Sequence, residues 1–260
     1  MWGVATVDMR VQHILMQIKS RSTEILANRL SGIYVHGSLA LECFNWNKSD
    51  VDFIILTKSI PTLQQKEALI KTLLAIDNIA PQKGLEMSLV LEKYARCFVY
   101  PTPFELHFSN TYKVECLHDL EGYCRRMNGV DKDLAAHFTM IRNACITLCG
   151  ASEKEIFGEV PAADYLDSIK NDVENAEKEI MVDPVYVILN LCRVLAFIQE
   201  KLVLSKKDGG IWGMEHLPTR YTKIVGNAIS NYINNDMFAY KEDDKSLKDF
   251  AEYMYIRIFA

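Results

Sequence analysis

The chain has 260 residues, of which 49% are apolar and 24% charged, and its formal net charge is −5. This length is sufficient for a sizeable core and predicts two domains, while the negative charge argues against a nucleic-acid partner, which needs a basic surface. No apolar run is long enough to span a bilayer and no signal-peptide pattern opens the chain, so we expect a cytoplasmic protein without a membrane partner.

The first part of the chain alternates between helical and strand patterns. Apolar residues at helical spacing predict three helices, at about residues 8–29, 61–76 and 131–150. Apolar or alternating runs predict four strands, at about residues 32–36, 51–56, 86–91 and 104–108. This order predicts an α/β (α+β) domain with a mixed sheet over residues 1–155.

The remainder of the chain has helical patterns almost throughout. They predict helices at about residues 162–179, 185–202, 218–233 and 245–258. Prolines and an Asp208-Gly-Gly210 turn separate these helices, and the Lys241–Asp244 charge run is interpreted as a solvated linker. We therefore expect an all-α helical bundle over residues 156–260, which closes a ligand-binding cleft between the two domains.

The candidate chemistry lies next to the first two strands. Gly37 and Ser38 follow the first strand, and Asp50 and Asp52 open the second. Residues i and i+2 of a strand point to the same face, so the two carboxylates lie side by side and favour a cation between them. Mg²⁺ carrying a polyphosphate suits such a pair, and a solvated acidic turn is the alternative interpretation.

A third carboxylate is needed as a further metal ligand or as a general base. Glu86 is the best candidate, because it begins the third strand directly after the Gln82–Gly84 stretch. Glu92 and Glu105 are weaker candidates, since one ends its strand and the other has apolar neighbours on a later strand. The alternative for Glu86 is an exposed carboxylate at a strand edge.

The Gly37-Ser38 turn followed by Asp50-x-Asp52 resembles the nucleotidyltransferase signature of the polymerase-β-like superfamily. Further segments resemble, in the same order, the aminoglycoside adenylyltransferases of the streptomycin/spectinomycin type: Asp133-Leu-Ala-Ala136, Leu148-Cys-Gly150, Ile156-Phe-Gly-Glu-Val-Pro161, Val187-Ile-Leu-Asn-Leu-Cys-Arg193, Ser205-Lys206 and Trp212-Gly-Met-Glu-His-Leu-Pro218. The resemblance runs from about residue 30 to about residue 235. It implies a resistance enzyme, monomeric or weakly dimeric, that uses ATP and Mg²⁺ to transfer AMP to an aminocyclitol hydroxyl and releases pyrophosphate.

The resemblance also assigns roles within the first domain. It implies that Ser38 and Ser49 contact phosphate, beside a Gly37 that lets the backbone approach closely. Asp50 and Asp52 are implied as metal ligands. Glu86 is implied as the catalytic base and completes the carboxylate set.

Two cations of the helical domain are implied to contact the phosphates of the nucleotide. Arg193 lies on an otherwise apolar helix, where an unpaired charge is costly and phosphate is a favourable partner. Lys206 precedes the predicted Gly-Gly turn. The alternatives are a structural ion pair between Arg193 and an acidic residue, and a solvated loop for Lys206.

The sequence indicates the residues that contact the acceptor substrate less clearly. A polycationic drug favours acidic contacts, and Glu179 and Asp183 lie where streptomycin-accepting relatives have acidic residues. Asp183 precedes Pro184, which makes a helix N-cap the alternative role. The relatives have a tryptophan where this chain has Tyr112, so Tyr112 is predicted either to replace that ring or to mark a different drug specificity.

Three histidines are interpreted as packing residues rather than as catalytic groups: His36, His107 and His137. Two functions compete with antibiotic adenylylation. One is nucleotidyl transfer to another small molecule or to a protein. The other is non-catalytic nucleotide binding, against which the retention of the three carboxylates argues.

Overall fold

A computed structural model describes residues 8–234 and 245–260, so the Lys241–Asp244 charge run lies outside the described residues. The chain divides into two compact units, Met1–Val160 and Pro161–Ala260. No helix in the described ranges is long and apolar enough to cross a membrane.

The first unit contains a mixed sheet and a separate pair of strands. The strands of this unit are β1 (Leu30–Val35), β2 (Val51–Thr57), β3 (Leu85–Leu91), β4 (Thr102–Phe104), β5 (Leu106–Phe108), β6 (Gly129–Asp131) and β7 (Ile146–Cys149). Five of them form one sheet in the order β5-β3-β2-β1-β7, and β4 and β6 form a separate pair. β2 and β3 are parallel, whereas the other paired strands are antiparallel. The predicted mixed sheet is confirmed.

The helices of the first unit cover both faces of this sheet. They are α1 (Met9–Leu26), α2 (Gly37–Ala40), α3 (Leu63–Asp77), α4 (Glu92–Arg96), α5 (Lys113–His118), α6 (Leu120–Arg126), α7 (Leu134–Asn143) and α8 (Glu153–Ile156). α1 and α3 pack with alternate residues of β1, β2 and β3 in one core cluster. α7 packs in a second cluster with the intervening residues, among them Ile54 and Val90.

Two predictions for the first unit are wrong in detail. The helix expected to continue to Gly150 ends at Asn143, because Ala144 is extended and Ile146–Cys149 pairs with β1. The strand expected at 104–108 is divided at Glu105, where the chain passes from the small sheet to the large one. The Glu105 carboxylate lies 3.6 Å from the Lys66 ammonium, so it has a structural partner on α3.

The second unit is helical throughout its described residues. Its helices are α9 (Ala162–Asn171), α10 (Ala176–Glu179), α11 (Pro184–Glu200), α12 (Lys206–His216), α13 (Thr222–Asn234) and α14 (Lys245–Phe259). Short 3₁₀ turns in the two units cover Ala27–Arg29, Asn110–Tyr112 and Thr219–Tyr221. The predicted helix at 162–179 is interrupted after Asn171, and the expected helical class of the second unit is confirmed.

The predicted Asp208-Gly-Gly210 turn is wrong, because these residues lie inside α12. The Ser205 hydroxyl caps this helix by accepting from the Asp208 backbone N–H at 3.0 Å. A Cβ at Gly209 would come within 2.5 Å of the Arg193 side chain, and one at Gly210 would come within 2.8 Å of Leu189. The glycines therefore permit close packing of α12 on α11 rather than a chain reversal.

Candidate active site

Three carboxylates converge at the start of β2 and β3. The parallel register places Asp52 opposite Glu86, and Asp50 precedes β2 by one residue. One carboxylate oxygen from each residue lies within 4.8 Å of the others. The structure therefore brings together the three acidic side chains that the sequence selected, and each of them is partly buried.

The Gly37 turn packs directly against this carboxylate set. Gly37 begins α2 with φ of +63°, a conformation that side-chain-bearing residues rarely adopt. A Cβ at this position would come within 2.1 Å of an Asp52 carboxylate oxygen. The His36 backbone N–H donates to the Asp52 backbone carbonyl at 3.0 Å, which ties the turn to β2. Only glycine leaves room for both the turn and the carboxylate.

Replacing Gly37 with Ala is expected to lower turnover by about 100-fold, because the new methyl group displaces Asp52 by roughly an ångström. Steady-state kinetics of the purified variant measures this loss. Gly226→Ala is the matched control: its added Cβ would meet only the tip of Met214, at 3.8 Å, so activity should be retained. Wild-type activity in Gly37→Ala would contradict the requirement for glycine.

The two serines predicted to contact phosphate differ in their surroundings. The Ser38 hydroxyl is buried and has no hydrogen-bond partner within the described residues, so it is an orphaned donor next to the Gly37 turn. The Ser49 hydroxyl accepts from the Asn45 backbone N–H at 3.1 Å, and the Ser49 N–H donates to the Asn45 carbonyl at 2.8 Å. Ser49 therefore closes the turn before β2 and keeps its own hydroxyl proton available for donation.

A histidine on α7 joins the carboxylates, contrary to the prediction that it only packs. His137 Nε2 lies 3.0 Å from Asp133 Oδ2, and ligand atoms of Glu86, Asp133 and His137 lie within 4.8 Å of one another. Burial opposes protonation of His137, but Asp133, Glu86 and Asp52 together raise its pKa to about 10. The site thus places a protonated imidazole beside its acidic side chains. The sequence signal for this pair was the i, i+4 spacing of Asp133 and His137.

His36 is buried behind His137, and their ring centroids are 4.6 Å apart. Burial lowers the pKa of His36 well below its usual value, and the charge of His137 acts in the same direction. A neutral imidazole in this place agrees with the packing role predicted for His36.

His107 on β5 is a second neutral imidazole near this cluster, and it is partly buried. Its Nδ1 lies 3.0 Å from the Ser88 hydroxyl. Burial, together with the charge of His137, lowers the pKa of His107 to about 4. Below pH 6.5 the unfolded chain therefore binds a proton that the folded protein does not bind until about pH 4.

Replacing His107 with Asn is expected to reduce the loss of stability on acidification. Because the unfolded state binds more protons between pH 6.5 and 4, the free energy of unfolding falls as pH falls, by about 3 kcal/mol from this residue. Urea unfolding of wild type and His107→Asn across this pH range measures the difference in slope. His13→Gln, which alters an exposed side chain solvated in both states, should keep the wild-type slope. Equal slopes for all three proteins would contradict the assignment.

The donor set at the start of β2 and β3 fits Mg²⁺. Asp50, Asp52 and Glu86 offer only oxygen atoms, which are the ligands that this hard cation prefers. The neighbouring set of Glu86, Asp133 and His137 includes an imidazole that is protonated in ion-pair contact with Asp133. That second set therefore suits a metal ion less well.

In the second unit, Arg193 is held by neutral groups. Its Nε donates to the Leu204 carbonyl at 2.9 Å, and its Nη1 donates to the Asn190 side-chain oxygen at 2.9 Å. No acidic side chain in the described ranges forms an ion pair with it. The alternative of a structural ion pair is therefore not realised among the described residues.

Lys206 is the first residue of α12 rather than part of a solvated loop. Its ammonium lies 4.7 Å from the ring centroid of Tyr186, and the Ser205 cap fixes the start of the helix. The amino end of a helix favours anions. This position supports the phosphate-contact role predicted for Lys206.

The predicted substrate contacts are divided between the two units. Glu179 and Asp183 are exposed in the second unit, and the Asp183 N–H donates to the Glu179 carbonyl at 2.9 Å. Asp183 also caps α11, because its carboxylate accepts from the Tyr186 N–H at 3.1 Å. Tyr112 lies in the first unit and is partly buried between the rings of His107 and Tyr123, with centroids 5.8 and 6.0 Å away.

A mixed sheet with the Gly-Ser turn and the three convergent carboxylates defines a nucleotidyltransferase-type α/β domain, which is followed here by a helical unit. Comparison with known proteins points to the same family as the sequence motifs. The family model described as aminoglycoside adenylyltransferase, C-terminal domain, matches residues 155–257. The helical part of the chain is therefore similar to the C-terminal domain of that family.

Similar proteins cover nearly the whole chain. Spectinomycin 9-adenylyltransferase of Campylobacter jejuni is 23% identical over 241 residues, which are 92% of each protein. Aminoglycoside (3'') (9) adenylyltransferase of Klebsiella pneumoniae is 24% identical over 237 residues, covering 88% of this chain and 86% of the relative.

A solved structure has the same fold. It is the crystal structure of spectinomycin adenyltransferase AAD(9) from Enterococcus faecialis with ATP and spectinomycin. The match has a TM-score of 0.81 at 19% identity and covers 96% of this chain and 99% of that protein. It confirms the predicted fold class.

Proposed function

We propose that this protein transfers AMP from ATP to a hydroxyl of an aminocyclitol or aminoglycoside antibiotic of the spectinomycin or streptomycin type, releasing pyrophosphate. The observation that carries the proposal is the convergence of Asp50, Asp52 and Glu86 on adjacent parallel strands. Relatives of similar length are adenylyltransferases for these drugs. We infer that the consequence for the cell is antibiotic resistance and that the reaction, which uses ATP, takes place in the cytoplasm.

Glu86 is the proposed general base. Its carboxylate lies opposite Asp52 on the neighbouring strand, where it accepts the proton of the acceptor hydroxyl as that oxygen attacks the α-phosphate. His137 and Asp133 lie beside Glu86 and restrict where its carboxylate can move. The pyrophosphate leaves on the opposite side of the α-phosphate, as an in-line displacement requires.

Asp50, Asp52 and Glu86 would hold Mg²⁺, which when bound neutralises negative charge on the triphosphate. Gly37 allows the backbone to approach the phosphates. The orphaned hydroxyl of Ser38 donates to a phosphate oxygen, and so does the hydroxyl of Ser49. The donor that has no partner in the described chain thus gains one from the nucleotide.

Arg193 and Lys206 are the proposed phosphate-binding cations of the second unit. The absence of any ion pair to Arg193 within the described residues supports this role, and Lys206 combines its charge with a helix amino end. For the drug, Glu179 and Asp183 provide the negative charge that a polycationic acceptor favours. Tyr112 provides an aromatic surface at the acceptor end.

Mass spectrometry of drug reaction mixtures tests this function. The purified protein is incubated with Mg·ATP and, separately, with spectinomycin, streptomycin and aminoglycosides of other types. We expect a mass gain of one adenylyl group on spectinomycin or streptomycin. Modification of neither drug, with ATP consumed by another acceptor, would overturn the proposed substrate class.

A further inference from the structure

Arg193 is fixed in place by its surroundings on three sides. Gly209 of α12 packs against its stem, where a Cβ would come within 2.5 Å of Arg193 Cγ and 3.2 Å of its backbone nitrogen. The Leu204 carbonyl accepts from Nε, and the Asn190 side-chain oxygen accepts from Nη1. The remaining guanidinium N–H groups have no partner within the described residues.

The unusual member of this arrangement is Asn190. Its side chain is only 2% exposed, and its Nδ2 group has no hydrogen-bond partner in the described part of the chain. A buried donor without a partner destabilises the folded protein. An aspartate would have the same shape, would lack the orphaned donor and would form a charge-assisted bond with Arg193. An aspartate would thus hold Arg193 without leaving a buried donor unpaired.

We propose that Asn190 is a positioning residue that directs Arg193 toward the triphosphate of ATP while leaving its positive charge uncompensated. The inference rests on the proposed function, because it takes ATP as the anion. A neutral amide oxygen fixes the direction of the guanidinium but adds no negative charge. The orphaned Nδ2 group is the structural cost of this arrangement.

The substitution Asn190→Asp keeps the shape of the side chain but changes its charge. It adds an anion next to Arg193, so Mg·ATP affinity, measured by titration calorimetry without drug, should fall about tenfold or more. The melting temperature should stay equal or rise, because a buried orphaned donor is replaced by an ion pair. A purely structural role predicts unchanged ATP affinity. Asn171→Asp adds the same charge at an exposed position of the second unit and should bind ATP as wild type does.

A second variant covers the case in which Asn190→Asp does not fold. Asn190→Leu removes both the acceptor and the orphaned donor at similar volume, so the protein should remain folded while Arg193 loses its fixed direction. ATP affinity should then fall several-fold, less than in the aspartate variant.

The results of these experiments separate a failure of the role proposed for Asn190 from a failure of the proposed function. Wild-type ATP affinity in a folded Asn190→Asp or Asn190→Leu protein overturns the role of Asn190 and leaves antibiotic adenylylation intact. Tight ATP binding by wild type that is weakened in both variants, without transfer to any drug, supports the role of Asn190 and overturns the proposed acceptor. A wild-type protein that does not bind Mg·ATP overturns both.

Discussion

Replacing Glu86 with Gln is expected to lower kcat for AMP transfer by about 10²- to 10⁴-fold, the usual contribution of a general base. The amide keeps the shape of the side chain but cannot accept the proton of the attacking hydroxyl. Affinity for ATP should change little, because Asp50 and Asp52 remain. The melting temperature should change little, because Gln relieves repulsion from Asp52 but also loses attraction to protonated His137. Rapid-quench kinetics and calorimetry with ATP measure the two effects separately.

Glu92→Gln is the control for this variant. Glu92 follows the same strand, but its carboxylate accepts from the Ser31 hydroxyl and from Arg96, both outside the carboxylate set. These bonds lower the pKa of Glu92 and give it a structural role. Glu92→Gln should therefore lose some stability and keep its turnover. Turnover near the wild-type value in Glu86→Gln would remove Glu86 as the base.

Replacing Asp52 with Asn is expected to reduce transfer by about 10³-fold or more, because it removes one carboxylate of the proposed metal-binding set. Asp52 lies opposite Glu86 and against the Gly37 turn, so its loss also changes the surroundings of the proposed base. The concentration of Mg²⁺ needed for half-maximal activity should also rise. A Mg²⁺ titration of the residual activity measures this shift.

Asp119→Asn makes the same change of charge away from the site. Asp119 caps α6 by accepting from the Gly122 N–H at 2.9 Å, a role that asparagine also fills, so its replacement should leave both the fold and the Mg²⁺ dependence unaltered. An Asp52→Asn protein with the wild-type Mg²⁺ requirement would contradict the role of Asp52 as a ligand.

The acidic centre of the site could be predicted because its signals are local. The i, i+2 spacing of Asp50 and Asp52 fixes a common face whatever surrounds the strand. The pairing of Asp52 with Glu86 follows once β2 and β3 are parallel neighbours. The contribution of α7 is not local, because it depends on which helix covers that face of the sheet. The sequence therefore predicts only a packing role for His137, although its position beside Asp133 and Glu86 makes it part of the site.

The surroundings of Arg193 show a second limit of sequence reasoning. Two consecutive glycines usually indicate a turn, and here they lie within α12, where the close approach of α11 excludes a larger side chain. The neutral partners of Arg193 likewise depend on tertiary contacts, because Leu204 lies beyond the end of α11. The resemblance to a family identified Arg193, but only the structure shows why its charge is available.

The fate of the α-phosphate of ATP is the most direct test of antibiotic adenylylation by this protein. ATP labelled at the α-phosphate is incubated with the protein, Mg²⁺ and spectinomycin or streptomycin, and the products are separated by chromatography. The proposed reaction predicts that the label moves into a drug-sized product while an equal amount of pyrophosphate is released. Label that remains in ATP, or that appears only as free AMP with both drugs unmodified, would contradict it.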